Sequence, residues 1–184
     1  MIPFEEEKLR CKGNFQYFLK TYMNLELNKD QEEMYENIGN ALHQSNYDRR
    51  TGVTTFIKAY MAYLALFGNL KNRKIAYLSD FNVEQFAKHL FNDISDINER
   101  FNKNCGKYLM DTWELDPELI TLSTRKNNLM YNDYYIVKIF TAYSTDHIGK
   151  GGKYDFTFCD NVMDFKRMDY WKTVSTKWVE FNNG

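Results

Sequence analysis

One stretch constrains this chain more than any other: the segment after Gly52, TTFIKAYMAYLALFGN, is apolar almost all round and ends at Gly68-Asn69, a helix stop signal. Two threonines open it and helix-compatible residues follow, which predicts a helix. A helix apolar on every side belongs inside the molecule. Directly after it, Arg73-Lys74 leads into KIAYLSD, where Ile75, Ala76, Tyr77 and Leu78 form a short apolar run ending in polar residues. That is the pattern of a strand buried in a parallel sheet.

The rest of the chain supports such an interior. Among 184 residues, 43% are hydrophobic and 17% aromatic, with 2 prolines, which is the composition of an ordered globular chain rather than a disordered one. One domain is expected, and at this length roughly 70% of the unfolded surface can be buried. Lys+Arg 24 against Asp+Glu 25 gives a net charge of −1, which excludes a generally basic nucleic-acid binder and an acidic tail protein and leaves only local patches. No apolar run approaches the ~18 residues of a spanning helix. The opening MIPFEEEKLR is acidic and lacks an apolar signal core, so an intracellular location without membrane attachment is expected. Cys11, Cys105 and Cys159 are odd in number and widely separated, against a disulfide framework or a thiolate zinc site. His43, His89 and His147 offer no i, i+4 pair for a metal.

Apolar residues at helical spacing predict helices over Asn14–Leu27 and about Lys29–Leu42, and NVEQFAKHLFNDI predicts another, with Val83, Phe86, Leu90 and Ile94 on one face and Asn82 as its cap. A loop is expected around Asn102–Gly106. LITLST (Leu119–Thr124), YYIVKIFTAY (Tyr134–Tyr143) and YDFTFC (Tyr154–Cys159) read as strands, with Asn127-Asn128, Asn132-Asp133 and Gly151-Gly152 as punctuation. Helices first, then strands interleaved with helices, predict an α/β domain with a mainly parallel sheet flanked by helices and with N-terminal helices. The expected division is an N-terminal helical part (1–45), a core (46–165) and a C-terminal helix or tail (166–184). In that tail, KRMDYWKTVSTKW reads as an amphipathic helix packing Trp171 and Trp178 on the sheet, although Lys166, Arg167, Lys172 and Lys177 also suit DNA or a neighbouring subunit.

The chemistry concentrates in Asp48-Arg49-Arg50-Thr51-Gly52-Val53-Thr54-Thr55, which opens the buried helix. A glycine in a tight loop exposes backbone N–H groups, the helix N-terminus adds positive potential, and a hydroxyl can reach a magnesium ion; together these make a phosphate cradle. By itself the pattern also fits an ordinary turn before a helix. About a hundred residues later, the apolar strand Phe156-Thr157-Phe158-Cys159 ends in Asp160, the arrangement by which a phosphate-loop protein places the acid of its magnesium shell. About twenty residues upstream, Gln31 offers an amide able to make two hydrogen bonds to an adenine edge, or simply a solvated glutamine at a helix start. Aromatic residues Tyr60, Tyr63, Phe67 and Tyr131–Tyr135 read as core or sheet faces rather than base-stacking platforms. Asp155 and Asp164 read as solvated positions.

This order resembles the ATPase domain of phage terminase large subunits, the motors that pump DNA into preformed capsids. Gln31 lies where that family carries its adenine-recognising glutamine, Asp48–Thr55 matches its R-x-x-G-K-T-T loop with Arg49, Gly52, Thr54 and Thr55 in register, and Asp160 falls at its magnesium aspartate. His147-Ile148-Gly149-Lys150-Gly151 sits where the family has an arginine finger on the γ-phosphate. The resemblance covers about residues 25–165. It implies a P-loop NTPase-like fold that binds ATP and Mg2+, with Gln31 on adenine, Arg49, Arg50, Thr51, Gly52, Val53, Thr54 and Thr55 around the phosphates, Thr54 and Asp160 on the metal, and Lys150, Asp160 and Asn161 at the catalytic positions. The implied partners are double-stranded DNA, motor subunits or a portal, and further copies of the chain, in the cytoplasm of an infected host cell.

Three residues depart from the pattern. Val53 replaces the loop lysine, a charge that Arg49 or Arg50 would have to supply; Asn161 replaces the glutamate that positions water, and an amide cannot act as a base; Lys150 keeps the finger's charge without its planar fork. The strand expected to deliver the loop, ALHQSNY, is polar where the family is apolar. The alternative is therefore a non-hydrolysing relative that keeps the fold as a binding or assembly module.

Overall fold

The computed structural model describes residues 1–40, 42–48, 50–80, 83–111, 114–115, 127–130, 136–141, 153–162 and 168–183. The chain opens with α1 (Phe4–Gly13) and α2 (Phe15–Phe18), the latter running into a π-helical turn at Leu19–Met23. Asn14 caps α2 by accepting from the Tyr17 N–H at 2.9 Å, and Asn24, at φ 52, stops the π turn in the left-handed region that asparagine tolerates. The helix expected to reach Leu27 thus ends at Met23. Next, α3 (Lys29–Asn37) starts at a capping box in which Asn28 and Gln31 satisfy one another's backbone N–H groups.

The helix expected to run to Leu42 stops at Asn37, and Leu42–Tyr47 is instead β1. Its polar sequence follows from its place at the sheet edge, where His43 and Tyr47 turn inward while Leu42, Gln44 and Asn46 stay exposed. The buried helix is α4 (Val53–Phe67), followed by β2 (Lys74–Ser79) and α5 (Val83–Cys105). Helix α5 carries its apolar stripe on through Ile97, Phe101 and Cys105, so the loop expected from Asn102 begins only at Gly106. Then come β3 (Glu114–Leu115), β4 (Asn127–Met130), β5 (Ile136–Thr141), β6 (Tyr154–Asp160), α6 (Met168–Val174) and β7 (Ser175–Asn183). Asn127-Asn128 is the start of β4, not punctuation. The expected strand LITLST and the expected cap Asn82 lie outside the described residues.

The seven strands form one sheet in the order β1-β7-β6-β2-β5-β4-β3. Five of them, β1, β7, β6, β2 and β5, run parallel, and β4 and β3 add an antiparallel margin. This is the α/β architecture expected from the sequence. The chain's last residues overturn one expectation: within KRMDYWKTVSTKW the helix is Met168–Val174, and Ser175–Asn183 forms β7 between β1 and β6. Strand periodicity explains the switch, because Val179 and Phe181 face α4 while Trp178 and Glu180 face away.

Both faces are covered, which is why β6 is buried at every position. On one face α4 packs Tyr60 edge-on against Phe156 and Phe158 at 6.0 and 6.1 Å, and Phe56 against Phe181 at 6.3 Å. The N-terminal helices close over α4 and α5: Phe15 meets Tyr60 at 5.2 Å, and Tyr22 stacks on Phe101 at 4.3 Å. On the opposite face Leu78, Tyr154, Cys159 and Trp178 cluster with Trp171 of α6. Asp155 is not solvated; it is buried at the start of β6 and accepts the Asn72 and Lys74 N–H groups at 3.0 and 3.1 Å, fixing the turn into β2. Among the described residues no helix is long and apolar enough to cross a membrane.

Candidate phosphate-loop site

Parallel strands direct their carboxyl ends to one edge of the sheet, and in open α/β folds ligands collect there. At that edge the turn after β1, the N-terminus of α4 and the ends of β2 and β6 enclose a cavity of about 670 Å³, within the range of small-molecule sites. The turn is sharply bent: Arg50 has φ 74 and Gly52 has φ 80, both left-handed. Gly52 carries the more demanding position, since a Cβ there would lie 2.6 Å from Gln31 Nε2. No side chain caps α4, so its first-turn N–H groups, which have no partner within the helix, are left to the cavity.

Gln31 is buried and clamps this turn. Its Nε2 donates to the Gly52 carbonyl at 3.0 Å while its Oε1 accepts the Asn28 N–H at 3.0 Å, and Asn28 Nδ2 donates to the Thr51 carbonyl at 3.0 Å. The α3 cap and the turn before α4 are therefore one hydrogen-bonded unit. In this arrangement both ends of the Gln31 amide are already engaged.

Across the cavity, Thr54 Oγ1 donates to Asp160 Oδ2 at 2.6 Å, and the Tyr77 hydroxyl donates to the same oxygen at 2.8 Å. Three elements distant in sequence, α4, β2 and β6, meet at this carboxylate. Burial pushes the Asp160 carboxyl above its ordinary 3.8, against the two hydroxyl bonds that pull it down. Tyr77 is locked by stacking on Phe86 at 3.8 Å and 2°, and its phenol is pushed well up by burial and by the neighbouring carboxylate. Asn161 follows in the left-handed region at φ 51, its N–H donating to the Phe181 carbonyl at 2.6 Å.

The structure thus brings together Gln31, Arg50, Thr51, Gly52, Val53, Thr54, Thr55, Asp160 and Asn161 from the expected set. Arg49 and Lys150 lie outside the described residues. Sequence reasoning missed Tyr77, Ser79, Lys58, Gln85 and His89, all of which line the same cavity. The period-2 spacing of Tyr77 and Ser79 along β2 puts them on one face, a signal legible in the sequence, whereas the pairing of Ser79 with Asp160 comes from the sheet.

Thr54 and Asp160 present hard oxygens of the kind that magnesium prefers. Thr51 Oγ1, within the turn itself, is buried without a hydrogen-bond partner.

No family model matches the sequence, and no curated protein matches it significantly. Solved structures do. The fold is similar to the large terminase of bacteriophage HK97, with a TM-score of 0.61 and 14% identity over 94% of this chain and 37% of that one. The chain therefore spans a little over a third of that terminase. It is also similar to the large terminase ATPase domain of Thermus phage P74-26, with a TM-score of 0.60 and 11% identity over 90% of this chain and 68% of that one, and a point mutant of that domain matches with a TM-score of 0.61. At such identities the likeness is one of fold: the chain has a terminase-like ATPase-domain fold.

Proposed function

We propose that this chain is an ATP- and Mg2+-binding, terminase-like ATPase module of a viral DNA-packaging motor, acting in the cytoplasm of the infected host cell with double-stranded DNA, motor subunits or a portal, and further copies of itself as partners. The observation that carries the reading is the Thr54–Asp160 hydrogen bond of 2.6 Å, which sets a hydroxyl at the start of α4 against a carboxylate at the end of β6. Bound magnesium would neutralise phosphate charge between those two residues. The Gly52 turn and the Arg49, Arg50, Thr51, Val53 and Thr55 backbone and side chains would surround the phosphates, Gln31 would read adenine by exchanging its bond to Gly52, and Lys150 would stabilise transferred charge.

A second reading is favoured by one residue. Asn161 occupies the position after the metal acid, its backbone is tied to Phe181, and its amide accepts no proton. A chain that binds nucleotide and does not hydrolyse it would serve as an assembly module.

Calorimetric titration with ATP and magnesium tests the common part. Wild-type binding that Thr54→Ala and Arg49→Ala abolish is the expected result, and no binding at millimolar nucleotide would sink the phosphate-loop reading. Turnover that rises with double-stranded DNA or a partner subunit then separates the motor from the assembly module, since the latter forms its complexes without hydrolysis and retains them in Asp160→Ala.

A further inference from the structure

A phosphate loop needs a fixed positive charge beside the terminal phosphates, and the usual place for it holds Val53. Arg50 lies on the exposed turn, where holding a long side chain against phosphate carries a large entropy cost. A better placed cation stands one turn into the helix. Lys58 follows Thr54 by four residues and Thr55 by three, so the three share one face of α4. Side chains on a helix lean toward its N-terminus, and four residues of rise amount to about 6 Å, close to the reach of a lysine arm. Lys58 accordingly lines the same cavity as Thr54, Thr55 and Asp160.

Its ammonium is parked sideways. Lys58 Nζ lies 3.2 Å from Asp93 Oδ2 on α5, with both side chains mostly buried at 21% and 29% exposure. Asp93 does not line the phosphate-loop cavity; it belongs to an adjoining one with Thr55, Asp96 and Arg100, and Lys58 forms part of the wall between the two. Asp93 Oδ2 is buried and takes no aligned hydrogen bond, so the ion pair is held by charge alone. A polyphosphate in the main cavity presents more negative charge than one carboxylate, and moving between the two requires only rotation of the lysine arm on a rigid helix.

We infer that Lys58 supplies the cation that Val53 lacks, swinging from Asp93 to the β and γ phosphates of a bound nucleotide. Asp93 is then the resting partner that holds the ammonium while the site is empty. This rests on the nucleotide-binding reading above, and deepens it by naming the phosphate-selective residue.

The test is calorimetry on the whole chain with ATP, ADP, AMP and inorganic tripolyphosphate, each with magnesium, using wild type, Lys58→Met, Asp93→Asn and Thr54→Ala. Lys58→Met is expected to weaken ATP and tripolyphosphate by about tenfold or more, the worth of one charge-assisted hydrogen bond, and to leave AMP nearly unchanged. Asp93→Asn removes the competing carboxylate and is expected to tighten ATP several-fold. A merely structural ion pair would lower the melting temperature of both variants and shift neither affinity nor the preference for ATP over AMP. If Thr54→Ala weakens ATP while Lys58→Met does not, the inference falls and the phosphate-loop reading stands; if wild type binds no nucleotide, both fall. Should Lys58→Met not fold, Asp93→Asn decides alone, and an unchanged ATP affinity in that variant overturns the inference.

Discussion

Replacing Gly52 with alanine attacks the turn before α4 at the point where backbone and side chain are most tightly coupled. Gly52 has φ 80, and a side-chain-bearing residue held in that left-handed region costs about 1–2 kcal/mol. The added Cβ would also lie 2.6 Å from Gln31 Nε2, closer than such atoms approach, so the amide must move. Moving it breaks the Nε2 bond to the Gly52 carbonyl and the Oε1 bond from the Asn28 N–H, each worth about 1 kcal/mol. Gly52→Ala should therefore destabilise the fold by about 3–4 kcal/mol in urea denaturation. Because Gln31→Ala already removes both bonds and the obstructing amide, the double variant should fall short of the sum of the single variants by about 1–2 kcal/mol. A Gly52→Ala cost within about 0.5 kcal/mol of zero, or strict additivity with Gln31→Ala, would refute the idea that Gln31 and the loop form one unit.

Asp160 gives a pH prediction. Burial raises its carboxyl above 3.8, so its contribution to stability is present below that value and is lost as pH rises through the raised one. Metal-free Asp160→Asn escapes this loss, and its melting temperature should gain on wild type as pH increases; a difference independent of pH would contradict the assignment. Phe181→Ala, in the strand that the sequence reads as a tail, should cost about 3–5 kcal/mol in chemical denaturation, since the ring is buried against Phe56 and Tyr47; a cost below about 1 kcal/mol would remove β7 from the core. Burial pushes the Cys11 thiol up to about 12 and Cys159 well above its ordinary value, so the native chain should resist alkylation at about pH 8 and react only on unfolding, as mass spectrometry can read directly.

Much of this molecule is written locally. The all-round apolar run of α4, the period-3.6 apolar stripe of α5, and the short apolar runs of β2 and β6 mark their own conformations because each states locally how much of its surface is buried. Gly52 and Asp160 announced themselves in the same way, as a glycine before a helix and an acid after a strand. The polar β1 and the late β7 did not: an edge strand needs no apolar run, and Trp178 on a short amphipathic segment satisfies helix and strand patterns alike.

Sequence alone therefore determined the α/β class, the buried helix behind the turn and the candidate residues that open it. Tertiary structure alone decided which of them meet. The union of Thr54, Tyr77 and Asp160 joins three elements across as many as 106 residues, and Gln31 reaches the loop from another helix. The parallel order β1-β7-β6-β2 brings the carboxyl ends of β1, β6 and β2 to the edge at which the cavity opens. Such juxtapositions depend on strand order in the sheet, a global packing choice that burial on both faces enforces and that no local periodicity encodes.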